Sequence, residues 1–138
     1  MERPSRDQIF MEIAAVISKR GTCGRAKVGC VITQENRIVS SGYNGPVSGA
    51  HCDTIGCDME KKCEHAVHAE ANAIAFAARE GIALDGATIY CMTEPCINCA
   101  MLIIQAGIKK VYFENLYTNS LGTMLMEKNG VEVKWINK

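Results

Sequence analysis

Two short runs, His68-Ala69-Glu70 and Pro95-Cys96-Ile97-Asn98-Cys99, stand far apart in the chain, yet each opens a segment with helical character. A helix N-terminus carries partial positive charge and unpaired N–H groups that lower the pKa of a nearby thiol. Cys96 and Cys99, three residues apart, share one face of a first turn. A fold in which the two helix starts meet would gather one imidazole, two thiolates and one carboxylate. Three protein ligands, His68, Cys96 and Cys99, leave a zinc ion one position for water, the arrangement of a catalytic site and not of a closed structural one. Glu70, two residues beyond the histidine, is then placed as a proton shuttle and not as a ligand. Either motif alone has a plainer reading, as a structural zinc knuckle or an ordinary buried residue; their pairing at two helix starts is what favours the catalytic one.

The remaining pattern supplies the scaffold. A helix is expected from about Ser5 to Lys19, capped by Ser5, with Ile9, Ile13, Val16 and Ile17 on its buried stripe. Val28 to Thr33 and Arg37 to Ser41 read as a hairpin about the turn Gln34-Glu35-Asn36, and Gly42-Tyr43-Asn44-Gly45-Pro46 reads as a loop. Val47 to Glu64 has no period and reads as a Cys/His-rich irregular insertion. A helix from Ala66 to Arg79 stops at Gly81. A strand (Thr88 to Met92), a helix (Ile97 to Gln105, stopped by Gly107) and a strand (Lys109 to Phe113) follow, then a helix near Ser120 to Lys128 and a strand from Val131 to Trp135. The whole reads as a three-layer α/β domain spanning 1–138, a mixed sheet of about five strands with helices on both faces.

Charge limits the partners. Lysine plus arginine and aspartate plus glutamate are 15 each in 138 residues, so there is no overall basic field to hold a long nucleic acid. No membrane-length apolar run or signal-peptide core is present, so a cytoplasmic protein is expected, in the host cytoplasm if the chain is viral. The chain has eight cysteines, which in such a compartment point to metal ligands or buried thiols and not to disulfides. Cys30 and Cys91 sit in apolar runs and are expected to be core.

The motifs, together with Val28-Gly29-Cys30-Val31-Ile32, Asn36-Arg37-Ile38, Gly42-Tyr43-Asn44-Gly45, His68-Ala69-Glu70-Ala71-Asn72-Ala73-Ile74 and Ile103-Ile104-Gln105-Ala106-Gly107-Ile108-Lys109, resemble the cytidine and deoxycytidylate deaminase superfamily, and within it most of all the dCMP deaminases of bacteria and phages. The resemblance covers nearly the whole chain from Lys27 to Val133. It implies the cytidine-deaminase-like fold and hydrolytic deamination of dCMP to dUMP and ammonia, which supplies dUMP for thymidylate synthesis. Zinc would lower the pKa of bound water for attack on carbon 4 of cytosine, with Glu70 moving protons.

By the same resemblance Asn44 contacts the substrate sugar and base, although a turn asparagine is an alternative, and the Ala69 backbone N–H binds the pyrimidine carbonyl. Tyr117 falls in a substrate-proximal loop, with simple packing as the other reading. Arg25, Lys27 and Thr118-Asn119-Ser120 are candidates for the 5′-phosphate on charge and donor grounds only. A second, structural zinc is implied on Cys23, Cys52, Cys57 and Cys63, with His51 and His65 competing for places; a cluster of reduced thiols is the alternative. Also implied are a homohexamer, activation by dCTP and inhibition by dTTP near Tyr43 and Gly45, and Mg2+ accompanying a bound triphosphate. Two other readings stay open: a tRNA adenosine deaminase with the same zinc chemistry, and a non-catalytic zinc module.

Overall fold

The computed structural model describes residues 2–23, 26–50 and 66–136. Ser5 caps helix α1 (Arg6–Ser18) through a reciprocal capping box with Gln8, whose backbone N–H donates to the Ser5 hydroxyl while its side chain accepts from the Ser5 N–H. The hairpin of β1 (Gly29–Gln34) and β2 (Arg37–Tyr43) turns at Glu35 and Asn36, with φ of +50° and +63°. Two positive φ values are what a two-residue turn needs to match the strand twist.

A two-stranded ribbon follows, β3 (Gly45–Pro46) antiparallel to β4 (Ala66–Val67), leading into α2 (Ala69–Arg79). Then come β5 (Thr88–Thr93), α3 (Ile97–Gln105), β6 (Lys110–Asn115), α4 (Leu121–Lys128) and β7 (Glu132–Trp135). Helices α2 and α3 end alike: Gly81 and Gly107 adopt φ of +69° and +85°, and the residues after them, Ile82 and Ile108, donate back to Ala77 and Ile103. This is the left-handed terminus that glycine permits.

The main sheet runs β2-β1-β5-β6-β7. Strand β1 is antiparallel to both neighbours, whereas β5, β6 and β7 are parallel, with α3 and α4 as crossovers. Alternation along the strands divides the core in two. Cys30, Ile32, Ile89, Cys91, Val111 and Phe113 face α2, α3 and α4, packing on Ala73, Ala77, Ile103 and Met126. Val31, Tyr90 and Tyr112 face α1, packing on Phe10, Met11 and Ala14. The expected three layers and five-stranded mixed sheet are therefore present, with one helix on one face and three on the other among the described residues.

Three local expectations are corrected. On α1 the buried stripe is Phe10, Met11, Ala14 and Ser18, while Ile9 and Val16 are exposed. Contact with β1 is so close that a Cβ on Gly29 would lie 2.1 Å from the Ala14 carbonyl oxygen. The small residues Ala14 and Ser18 therefore stand at the closest approach to the sheet, while Ile13 and Ile17 of the expected stripe are half-buried against the same core. The helix expected from Ala66 begins instead at Ala69, because Ala66 and Val67 pair in β4. And Gly42-Tyr43-Asn44-Gly45-Pro46 is not simply a loop: Gly42 and Tyr43 end β2, and Gly45 and Pro46 form β3. Most of the Cys/His-rich insertion, with Cys52, Cys57, Cys63, His51 and His65, lies outside the described residues, as does Arg25.

Candidate active site

The site forms where two chain segments turn into helices. His68 occupies the N-cap of α2 and Cys96 that of α3, both in extended conformation, and neither side chain caps its own helix. The imidazole and thiols turn toward each other instead. His68 Nδ1 lies 3.5 Å from Cys96 Sγ and 3.4 Å from Cys99 Sγ, and all three donor atoms fall within 4.8 Å of one another. A tetrahedral zinc with ordinary Zn–S and Zn–N bonds requires an N···S edge of about 3.5 Å. The donor set and its spacing fit zinc, and His68, Cys96 and Cys99 are the residues that would hold it.

The protonation chemistry agrees. Hydrogen bonds from Cys99 and His68 hold the Cys96 thiol down to about 3, against the cost of burial. The bond to Cys96, followed by burial and the nearby Glu70 charge, pushes the Cys99 thiol up. Two thiols this close retain one proton between them, and a divalent cation in its place lets both ionise.

Glu70, in the first turn of α2, is 4% exposed. Burial raises its pKa, partly offset by a hydrogen bond with Cys99 and the charge of His68. A carboxyl group that holds a proton more readily than in water, beside three metal donors, is fitted to accept and return one.

These residues open on a cavity of about 490 Å³. His68, Ala69, Glu70 and Cys96 line it together with Asn44, Tyr117 and Thr118, so the structure brings most of the residues picked out in the sequence to one place. Ala69 is the first residue of α2, and its N–H belongs to the first turn, which has no intrahelical acceptor. Its carbonyl accepts the Cys30 thiol at 3.1 Å. Helix α2 can sit this close to β2 because of Gly42, where a Cβ would lie 2.4 Å from the Ala69 carbonyl oxygen.

The Asn44 side chain bridges backbone: Oδ1 accepts from Val28 N–H at 2.7 Å, and Nδ2 donates to the Ala26 carbonyl at 3.0 Å. Cys23, half-buried, also lines the cavity. Tyr43 ends β2, its carbonyl accepting from Asn72 Nδ2 at 2.9 Å, and Gly45 is buried in β3. Cys30 and Cys91 are fully buried, and burial and then the Glu70 charge push both thiols up, which suits inert core residues.

The sequence reading missed Thr93 and Glu94, which also line the cavity. Glu94 is 2% exposed, accepting from Tyr117 N–H at 3.1 Å and from the Thr123 hydroxyl at 2.5 Å. The available signal was a charged residue between a buried strand and Pro95, but nothing in the spacing names its partners. Among the described residues, no helix is long and apolar enough to cross a membrane.

Comparison with known proteins agrees with this geometry. The family described as the cytidine and deoxycytidylate deaminase zinc-binding region matches residues 4–115. The chain is 42% identical to ComE operon protein 2 of Bacillus subtilis, over 99% of this chain and 74% of that protein. It is 37% identical to the deoxycytidylate deaminase of Schizosaccharomyces pombe over 96% of this chain, but spans only 44% of the yeast protein. The crystal structure of the dCMP deaminase of cyanophage S-TIM5 in complex with dCMP and dUMP superposes with a TM-score of 0.89 at 32% identity, covering 99% of this chain and all (100%) of that one. With the His68, Cys96 and Cys99 donors converging beside Glu70, the chain belongs to the cytidine and deoxycytidylate deaminase family as a zinc-type deaminase enzyme.

Proposed function

We propose that the chain hydrolyses the exocyclic amine of dCMP, giving dUMP and ammonia. The observation that carries this reading is the buried Glu70 carboxyl beside three converging metal donors in a cavity of about 490 Å³. The nucleotide is chosen on the likeness to the S-TIM5 enzyme, whose complex holds dCMP and dUMP.

When bound, zinc supplies the Lewis acidity that lets water act as a nucleophile at neutral pH. Glu70 takes up the proton that the attacking water releases, delivers it to the ring nitrogen, and then helps protonate the amine leaving carbon 4. The Ala69 N–H receives the pyrimidine carbonyl, and Asn44 orients sugar and base. The Asn44 amide keeps one N–H and one lone pair beyond its two backbone bonds, enough for a nucleotide. Tyr117 supplies part of the wall, and Lys27 with Thr118, Asn119 and Ser120 are the phosphate candidates within the described residues.

The same reading includes a homohexamer, activation by dCTP and inhibition by dTTP near Tyr43 and Gly45 with Mg2+ accompanying the bound triphosphate, and a second, structural zinc on Cys23, Cys52, Cys57 and Cys63. It covers 1–138 as one catalytic domain acting in the cytoplasm.

Ammonia release from dCMP, dCTP, deoxycytidine and a tRNA anticodon stem, each with and without dCTP or dTTP, tests it, with Glu70→Ala as control. Turnover of dCMP, raised by dCTP and suppressed by dTTP, is the expected result. A reaction confined to the tRNA stem would replace the substrate and keep the metal chemistry.

A further inference from the structure

We propose that Glu94 is a positioning residue for the nucleotide: it fixes the Tyr117–Thr118 wall of the cavity to the metal-binding turn, and so governs nucleotide affinity and not the chemical step. This rests on the dCMP reading above.

Glu94 is the second-last residue before Cys96, is 2% exposed, and lines the cavity. Among the described residues it forms no ion pair. A carboxylate taken out of water without a cation is costly, and hydrogen bonds must offset that cost. Its two oxygens are used separately. Oε1 accepts from Tyr117 N–H at 3.1 Å, and Oε2 accepts from the Thr123 hydroxyl at 2.5 Å, while its own N–H donates to the Asn115 carbonyl at 2.7 Å.

One residue thereby ties together the turn that carries Cys96, the end of β6, the cavity wall and the first turn of α4. Gly122 supports the same junction, since a Cβ there would lie 2.4 Å from the Pro95 carbonyl oxygen. Helix α4 thus rests directly on the metal-binding turn. The short loop from 116 to 120 is held at Tyr117 and again just past its end at Thr123, both by Glu94. Tyr117 and Thr118 face the cavity, and the Tyr117 backbone is held there by Glu94. Loosening the loop would therefore enlarge or blur the nucleotide's seat and leave the zinc ligands and Glu70 in place.

The test compares zinc-loaded wild type, Glu94→Ala, Glu94→Gln and Thr123→Val. Glutamine keeps an acceptor for Tyr117 N–H, and the Thr123 hydroxyl can rotate to accept from its amide. Glu94→Ala is expected to raise KM for dCMP and the calorimetric Kd for dUMP about tenfold, with kcat within about threefold of wild type. Zinc content should stay at the wild-type level, and the Tyr117 amide should lose protection from hydrogen exchange. Glu94→Gln should restore both affinities. Should Glu94→Ala not fold, Thr123→Val reads the same clamp from its other end, with an expected rise in KM of about threefold.

Unchanged KM and Kd in Glu94→Ala would overturn the proposal, and so would a loss confined to kcat and zinc content, which would make Glu94 a support for the metal-binding turn alone. If wild type neither turns over dCMP nor binds dUMP, the substrate reading fails and takes the affinity claim with it. The clamp is then judged by exchange alone, and unchanged protection at Tyr117 in the alanine variant would overturn that too.

Discussion

The two sides of the cavity are built by different means. On the metal side, His68 and Cys96 stand at helix N-caps, Cys99 follows within one turn, and the helices behind them are anchored by Ala73, Ala77 and Ile103 in the core. Elsewhere around the lining, Asn44 binds the segment at 26–28 through two side-chain-to-backbone hydrogen bonds and Glu94 binds the loop at 117 through one, across long stretches of sequence. Local spacing and core packing make the reactive corner; a few polar bridges shape the seat for the substrate. Changes on the first side should strike turnover, and changes on the second should strike affinity.

The largest effect is expected from the metal ligands. Cys99→Ala removes one of the three donors within 4.8 Å of one another, so zinc content should fall and deamination drop below detection. Wild type stripped by a chelator should be equally silent and recover on adding zinc, whereas the variant should not. A Cys99→Ala protein retaining both zinc and activity would break the assignment of this side.

Glu70→Gln comes next. It preserves the shape of a residue that is 4% exposed but ends proton transfer by that group. Turnover should fall by about 10²–10⁴-fold, the usual contribution of a positioned acid or base, with zinc content and dUMP affinity nearly unchanged. A fall in affinity matching the fall in turnover would show that the two sides are not separable.

This division also explains what the amino-acid sequence disclosed. His68, Glu70, Cys96 and Cys99 were legible because their spacing within a motif is itself the geometry, and the limits of α3 because Pro95 and Gly107 punctuate it. The hairpin was legible from Glu35 and Asn36, which suit a turn with positive φ. The face of α1 was legible only in part: Ile13 and Ile17 do pack on the core, but hydrophobicity also pointed to Ile9 and Val16, while close contact with Gly29 selected Ala14 and Ser18. The start of α2 was misplaced because alanine favours helices, and only pairing with Gly45 and Pro46 makes Ala66 and Val67 extended. Glu94 was passed over for a related reason. Its partners Tyr117 and Thr123 follow 23 and 29 residues later, and no periodicity connects them.

A third substitution probes the other side of the cavity. Asn44→Asp keeps the acceptor for Val28 N–H but sets a carboxylate oxygen against the Ala26 carbonyl, where Nδ2 now donates at 3.0 Å. The loss of one bond and the added repulsion should loosen the segment at 26–28 and raise KM for dCMP by about tenfold, with kcat much less affected. Steady-state kinetics at fixed zinc decides it, and a kcat effect larger than the KM effect would contradict the division.

The smallest effect should come from the far face of the sheet, where neither side of the cavity is involved. Tyr90 stacks on Tyr112 with ring centroids 5.0 Å apart, and its hydroxyl donates to Asp7 of α1 at 2.6 Å. Tyr90→Phe keeps the ring and lets Asp7 regain water, so the loss should be about 0.5–1.5 kcal/mol of folding stability with unchanged kcat and KM. Its pH dependence has a definite sign. Burial, followed by the Asp7 hydrogen bond and charge, raises the Tyr90 pKa above its ordinary value. The folded state thus retains the proton that the unfolded state releases above a pH of about 10. The advantage of wild type over Tyr90→Phe is therefore full below that pH and shrinks as pH rises beyond it, because the phenol must stay protonated to remain buried against Asp7. Denaturant unfolding of both proteins at neutral pH and above pH 10 measures this difference. A stability gap that widened with alkalinity would mean that the folded state favours the phenolate, and the neutral hydrogen bond to Asp7 could not then be what joins α1 to β5.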